Sequence, residues 1–174
     1  MGKRSDFERS KMDYYATPME AVRPLLPHLP PETWYCEPCA GEGVLISHLQ
    51  SAGHKCMVAF DAGIGPYRRH DASWITEEDL GSSKIEMIIT NPPWDRKPLH
   101  QIIERCSALR PTWLLFDADW MHTQQAQPHL ELCRMIISVG RVKWFGDTSG
   151  KDNCCWYLFD AKDAPHKTMF LGRS

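Results

Sequence analysis

The chain of 174 residues is 43% hydrophobic and 24% charged, with a net charge of −2. That length suits one domain with a sizeable core, and the near-neutral balance excludes a globally basic nucleic-acid coat, so any polyanion contact must be local. No apolar run approaches the ~18 residues of a membrane span. The charged start "MGKRSDFERSK" has no signal-peptide core, and seven cysteines without an export signal read as reduced thiols in a cytoplasm.

In chain order, "TPME" predicts a helix start. Thr17 can cap, Pro18 fits the first helical position, and Glu20 can reach back as a capping box. Pro24 should end that helix early. Residues 33–36 and 57–60 read as strands. The helix between them carries Val44, Leu45, His48 and Leu49 at helical spacing and stops at Gly53. Residues 85–90 and 113–116 are two further strands. Between these, Pro98 opens a helix with Leu99, Ile102, Ile103, Cys106 and Leu109 on one face. Residues 124–134 predict a third, more polar helix. Continuously apolar strands alternating with helices argue for an α/β fold with a parallel sheet covered on both faces. "GRVKWFG" and "CCWYLFD", joined by the hydrophilic "DTSGKDN", read as a hairpin that places an antiparallel strand at the sheet edge.

"YCEPCAGEG" (35–43) follows the first strand and opens the first of the two longer helices. Gly41 and Gly43 allow a tight turn and close approach to a ligand. The loop lacks the third glycine of a dinucleotide fingerprint and the Gly-Lys-Ser/Thr of a phosphate loop. Asp61 ends the next strand, where doubly wound folds place an acid on ribose hydroxyls. Asp71 in "HDASW" reads as a cap or turn residue, or as an acid beside the same crevice. Several carboxylates without a lysine suit a ligand carrying positive charge rather than a nucleotide phosphate.

"IITNPPWDR" (88–96) is the most specific stretch. Pro92 and Pro93 have fixed φ and no N–H, so the Pro92 carbonyl is held rigidly next to the Asn91 amide oxygen. Two such acceptors can take both hydrogens of a planar exocyclic amine and stabilise positive charge as that nitrogen attacks an electrophile. Trp94 offers a face on which an extruded base can stack. Cys36-x-x-Cys39 and Cys154-Cys155 lack a partner pair for a zinc site, and no metal is expected.

The motifs "ATP" (16–18), "EPCAGEG" (37–43), "FD" (60–61), "HDASW" (70–74) and "NPPW" (91–94) resemble, in this order, those of S-adenosylmethionine-dependent amino-methyltransferases acting on adenine. The order resembles the gamma arrangement of DNA N6-adenine methyltransferases, and small phage-encoded enzymes with a C-terminal "RVKWFG…GKDNCCWYLFD". The resemblance implies a Rossmann-like class I methyltransferase fold over residues 1–174, with a mostly parallel seven-stranded sheet and an antiparallel C-terminal hairpin strand.

It implies S-adenosylmethionine as cofactor. Tyr15, Ala16, Thr17 and Pro18 would meet its methionine tail, and Glu37, Pro38, Cys39, Ala40, Gly41, Glu42 and Gly43 would form the floor. Asp61, beside Ala62, would hold the ribose, and Asp71, beside Ala72, the cofactor's adenine. Asn91, Pro92, Pro93 and Trp94 would make the target-amine site, with Asn91 also touching the cofactor. DNA is the expected acceptor, with Arg96, Lys97 and Lys151 as phosphate contacts.

Two features depart from the family pattern: Trp94 replaces the commoner Tyr or Phe, and no target-recognition domain is expected after the catalytic motifs. A short or relaxed sequence context is therefore expected, from a monomer or small oligomer in a bacterial or phage-infected host cytoplasm. A second subunit is the alternative source of recognition. The alternatives for function are RNA adenine, cytosine N4 or protein glutamine as acceptor, or a regulatory subunit that binds the cofactor without catalysis.

Overall fold

The computed structural model describes residues 15–145, 149–164 and 167–173, apart from the side chains of 145 and 149–151. Eight strands are present: β1 (Trp34–Glu37), β2 (Lys55–Asp61), β3 (Arg68–Arg69), β4 (Met87–Thr90), β5 (Thr112–Asp117), β6 (Cys133–Phe145), β7 (Ser149–Phe159) and β8 (Met169–Leu171). They form one sheet in the order β3-β2-β1-β4-β5-β7-β6-β8. Every pairing is parallel except the two made by β7. The predicted hairpin exists, but its antiparallel strand is interior. β7 slots between β5 and β6, and the edges are β3 and the added β8.

Side-chain alternation along the central strands builds two cores, one per face. Leu114 and Phe116 of β5 join Cys155, Tyr157 and Phe159 of β7 on one face. Trp113 and Leu115 join Cys154 and Trp156 on the other. Cys154 and Cys155 therefore point to opposite sides of the sheet. The first face is covered by α4 (Arg96–Leu109), which buries Leu99, Ile102, Ile103 and Cys106 as its spacing predicts. The second is covered by α1 (Met19–Val22) and α2 (Val44–Ser51). A short α3 (Glu77–Leu80) starts with a capping box between Thr76 and Asp79.

Two local expectations fail, each for a tertiary reason. The capping box expected in "TPME" does not form, although Pro24 does follow closely on the end of α1. The Thr17 hydroxyl instead accepts from Asn91 Nδ2 at 3.2 Å, and Glu20 accepts the Lys143 N–H at 3.1 Å. The polar helix over 124–134 breaks into a 3₁₀ turn, a single helical turn α5 (Gln127–Leu130), and the start of β6 at Cys133. Histidines, to which the sequence assigns no role, pin this segment to α4. Trp120 donates its indole N–H to His100 at 3.0 Å, and His129 lies between the Gln125 carbonyl and Glu104.

Strand order reverses between β1 and β4, whose carboxyl ends carry Glu37 and Asn91. A doubly wound sheet opens its ligand crevice at such a switch point.

Candidate active site

A cavity opens at this switch point. Its wall includes Tyr15, Ala16 and Thr17 before α1, then Glu37, Pro38, Cys39 and Ala40 after β1. Asp61 and Ala62 end β2, Asp71 and Ala72 follow β3, and Asn91 with Pro93 follow β4. Five wall residues were not read from the sequence as site residues: Val44, Leu45, Ile64, Pro98 and Ile102. They are apolar members of helices and a loop, so local pattern marks them only as core. Pro18, Gly41, Glu42, Gly43, Pro92 and Trp94 stand off the wall.

The glycine loop turns as expected, with Gly41 at φ 52° and Gly43 at φ 84°. A side chain at Gly43 would run into the Tyr67 hydroxyl. Asp61, buried, binds both loops of this corner. Its Oδ2 accepts the Gly41 N–H at 2.9 Å, while Oδ1 accepts those of Gly63 at 2.8 Å and Ile64 at 2.7 Å. A carboxylate offers about four acceptor positions, so one remains for a ligand. Asp71 caps the turn 72–74 through the N–H and hydroxyl of Ser73, at 2.9 and 2.7 Å, and also lines the cavity.

Glu37 is the electrostatic centre of the wall. It is fully buried and close to the Thr90 hydroxyl, its Oε1 accepts the Cys39 N–H at 3.3 Å, and its Oε2 has no well-formed hydrogen bond among the described residues. Burial pushes the carboxyl up to about 8, partly offset by the Thr90 hydroxyl and the Cys39 amide. Below that value the folded state holds a proton that the unfolded chain releases above about 4.5. Stability therefore falls as pH rises through this window, and the cost is fully present above about 8. Glu37→Gln should remove the trend. Melting curves from pH 5 to 9 should show the wild type losing ground steadily to the variant, and parallel curves would count against a buried, unpaired acid.

Asn91 ties three elements together. Its Nδ2 donates to the Tyr15 carbonyl at 3.3 Å and to Thr17, and its Oδ1 accepts the Trp94 indole N–H at 3.1 Å. The amide orientation is fixed, because a carbonyl can only accept and an indole N–H only donate. Trp94 also donates to the Leu115 carbonyl at 3.2 Å. It is half-buried and meets Trp144 edge to face, with ring centroids 5.4 Å apart. Trp144, which sequence reasoning missed, also lies against the Tyr15 ring at 6.4 Å, and its buried indole nitrogen has no partner among the described residues. Its only sequence signal was an aromatic at the end of a strand, before a hydrophilic turn. Arg96 is exposed at the start of α4 and bonds Gln125, Lys97 is exposed beside it, and the Lys151 side chain lies outside the described residues.

The wall carries three carboxylates and no Lys or Arg among the described residues, together with apolar Leu45, Ile64 and Ile102. The unpartnered Glu37 oxygen suits a cationic group, and the apolar side suits a flat ring. No helix among the described residues is long and apolar enough to cross a membrane.

No protein-family model and no curated protein sequence matches the chain. Among solved structures it is similar to a protein from Pyrococcus horikoshii described as an RNA methyltransferase, at 13% identity over 91% of each chain, with a TM-score of 0.63. It is similar to the M protein of the type I restriction enzyme EcoKI, at 13% identity over 90% of this chain and 47% of that one, TM-score 0.53. A modification subunit from Vibrio vulnificus, assigned to a type I restriction enzyme, aligns over 91% of this chain and 47% of that one, with 10% identity and a TM-score of 0.53. The chain thus spans about half the length of these two modification proteins. The shared architecture is the Rossmann-like fold of class I methyltransferases.

Proposed function

We propose that this chain transfers a methyl group from S-adenosylmethionine to the N6 amino group of adenine in DNA, within a short or relaxed sequence context. The observation that carries the reading is Asn91. It sits at the end of β4, on the cavity wall, with its amide oxygen committed to one donor among the described residues. That oxygen has two lone pairs, so the second is left for an N–H of the target amine. The Pro92 carbonyl is the other acceptor in this reading, its position stiffened by two fixed ring dihedrals. Both draw the amine's hydrogens and stabilise positive charge on its nitrogen.

When bound, S-adenosylmethionine supplies an electrophilic methyl group on a sulfonium centre. Glu37, buried, would favour the cofactor's positive charge on releasing the proton it otherwise holds below about 8. Asp61 would offer its remaining acceptor position to a ribose hydroxyl, and Asp71 and Ala72 would hold the adenine. Tyr15, Ala16 and Thr17 would meet the methionine tail. Trp94 and Trp144, beside the cavity and packed edge to face, would offer an aromatic surface for the base. The methylated nitrogen is acidic enough to lose its proton to solvent, so no strong base is demanded.

Turnover with labelled cofactor on DNA, RNA and glutamine peptides tests the reading, together with digestion of host DNA after expression. N6-methyladenine in that DNA supports it. Label appearing only in RNA or peptide overturns the DNA assignment.

Asp61→Asn should weaken binding of S-adenosylhomocysteine by about 10- to 100-fold, because charge-assisted hydrogen bonds contribute ~1.5–3 kcal/mol. A ligand without ribose hydroxyls should lose less. Equal losses in calorimetry would mean that Asp61 only holds its two loops in place.

A further inference from the structure

Trp74 is 63% exposed, while the other six tryptophans are buried or half-buried. Its backbone is not loose. Ala72, Ser73 and Ile75 around it are buried, and the turn is closed by Trp74 N–H to the Asp71 carbonyl at 3.0 Å and by the Asp71 cap. A rigid turn thus holds a large aromatic face in water, two residues from a cavity-wall residue. Two cations lie next to residues of the wall. Arg69 pairs in register with Asp61 across β2 and β3, and Lys97 adjoins Pro98 of the wall. Both are exposed and make no ion pair among the described residues. Arg68, by contrast, is taken by Asp79 at 2.7 Å and holds that carboxyl down at about 2. The cavity wall carries acids, and these two exposed cations are offered to solvent beside wall residues, which suits a cationic ligand inside and a polyanion outside.

We propose that Trp74, Arg69 and Lys97 form a docking strip for the nucleic-acid strand next to the target base, an inference that rests on the function proposed above. Trp74 stacks one flanking base and tolerates any sequence, since every base has a π-face. Arg69 and Lys97 each neutralise a phosphate.

The test is binding of a fluorescently labelled single-stranded DNA oligonucleotide by anisotropy, at several salt concentrations. Trp74→Ala should weaken binding about tenfold, a value from the stacking contribution of a single base. Its salt slope should not change, and Trp74→Phe should recover most of the affinity. Arg69→Ala and Lys97→Ala should each lower the salt slope by about one. Affinity for S-adenosylhomocysteine should be the same in all variants. Wild-type affinity in Trp74→Ala overturns the strip while leaving the function standing. A parallel loss of S-adenosylhomocysteine binding also overturns it, by assigning Trp74 to the cavity. A wild-type protein that binds no DNA or RNA overturns the function itself.

Discussion

Asn91→Ala is expected to lower the methyl-transfer rate by about 10²–10³-fold, the usual loss when one hydrogen-bonding group at a reacting centre is removed. The structure indicates where that loss appears. The Trp94 indole keeps its bond to the Leu115 carbonyl, so the aromatic wall stays in place without Asn91. The Tyr15 carbonyl and the Thr17 hydroxyl lose their shared donor, so S-adenosylhomocysteine affinity should fall as well, but only a few-fold. Asn91→Asp separates the two effects. It keeps an acceptor for Trp94 but turns an oxygen toward the Tyr15 carbonyl, so binding should suffer more than in the alanine variant. Single-turnover rates beside calorimetry measure both quantities. Near-wild-type turnover of Asn91→Ala would remove this residue from the chemistry.

Gly65→Ala should weaken S-adenosylhomocysteine binding by at least about tenfold and also cost stability. Gly65 has φ 73°, and a methyl group there would overlap the Gly41 carbonyl oxygen. The left-handed backbone alone costs an alanine about 1–2 kcal/mol. The overlap is with backbone, which cannot rotate away, so the loop 62–67 must lift. Lifting it breaks the Asp61 bonds to Gly63 and Ile64 and withdraws Ile64 from the cavity wall. Gly53→Ala is the matched control. Its φ is 93°, but nothing lies within 4 Å of the added carbon. Thermal melting should show both variants destabilised, while calorimetry should show weakened binding only for Gly65→Ala. Equal binding in the two would mean that the loop contributes nothing to the cavity.

The parts of this molecule that were legible in sequence are those where one local pattern has one use. The apolar strands, the face of α4 and the glycine turn belong to this group. Asn91 and Asp61 were legible as positions, but not in their number of partners, because the Tyr15, Thr17 and Gly41 groups that bond them lie 20 or more residues away. "TPME" misled for the same reason: it carries a valid capping pattern whose side chains are claimed by Asn91 and Lys143. Trp144 was hidden because a strand-end aromatic says nothing about which distant rings it will meet. β8, only three residues long with Met169 and Phe170 exposed, has neither the length nor the alternation that marks a strand.

The interior position of β7 also governs how this chain can be made. A ribosome delivers β5 and β6 before the strand that joins them exists, since among the described residues β6 pairs with β7 and β8 alone. Throughout that interval the nascent molecule presents an open, apolar edge on β5. Such an edge is the kind of surface that pairs with a neighbouring chain when its own partner is late. Closure of the sheet is thus a late event that joins segments distant in sequence, which slows folding. Any holdase acting on this protein during translation has its work concentrated between the emergence of Asp117 and that of Phe159.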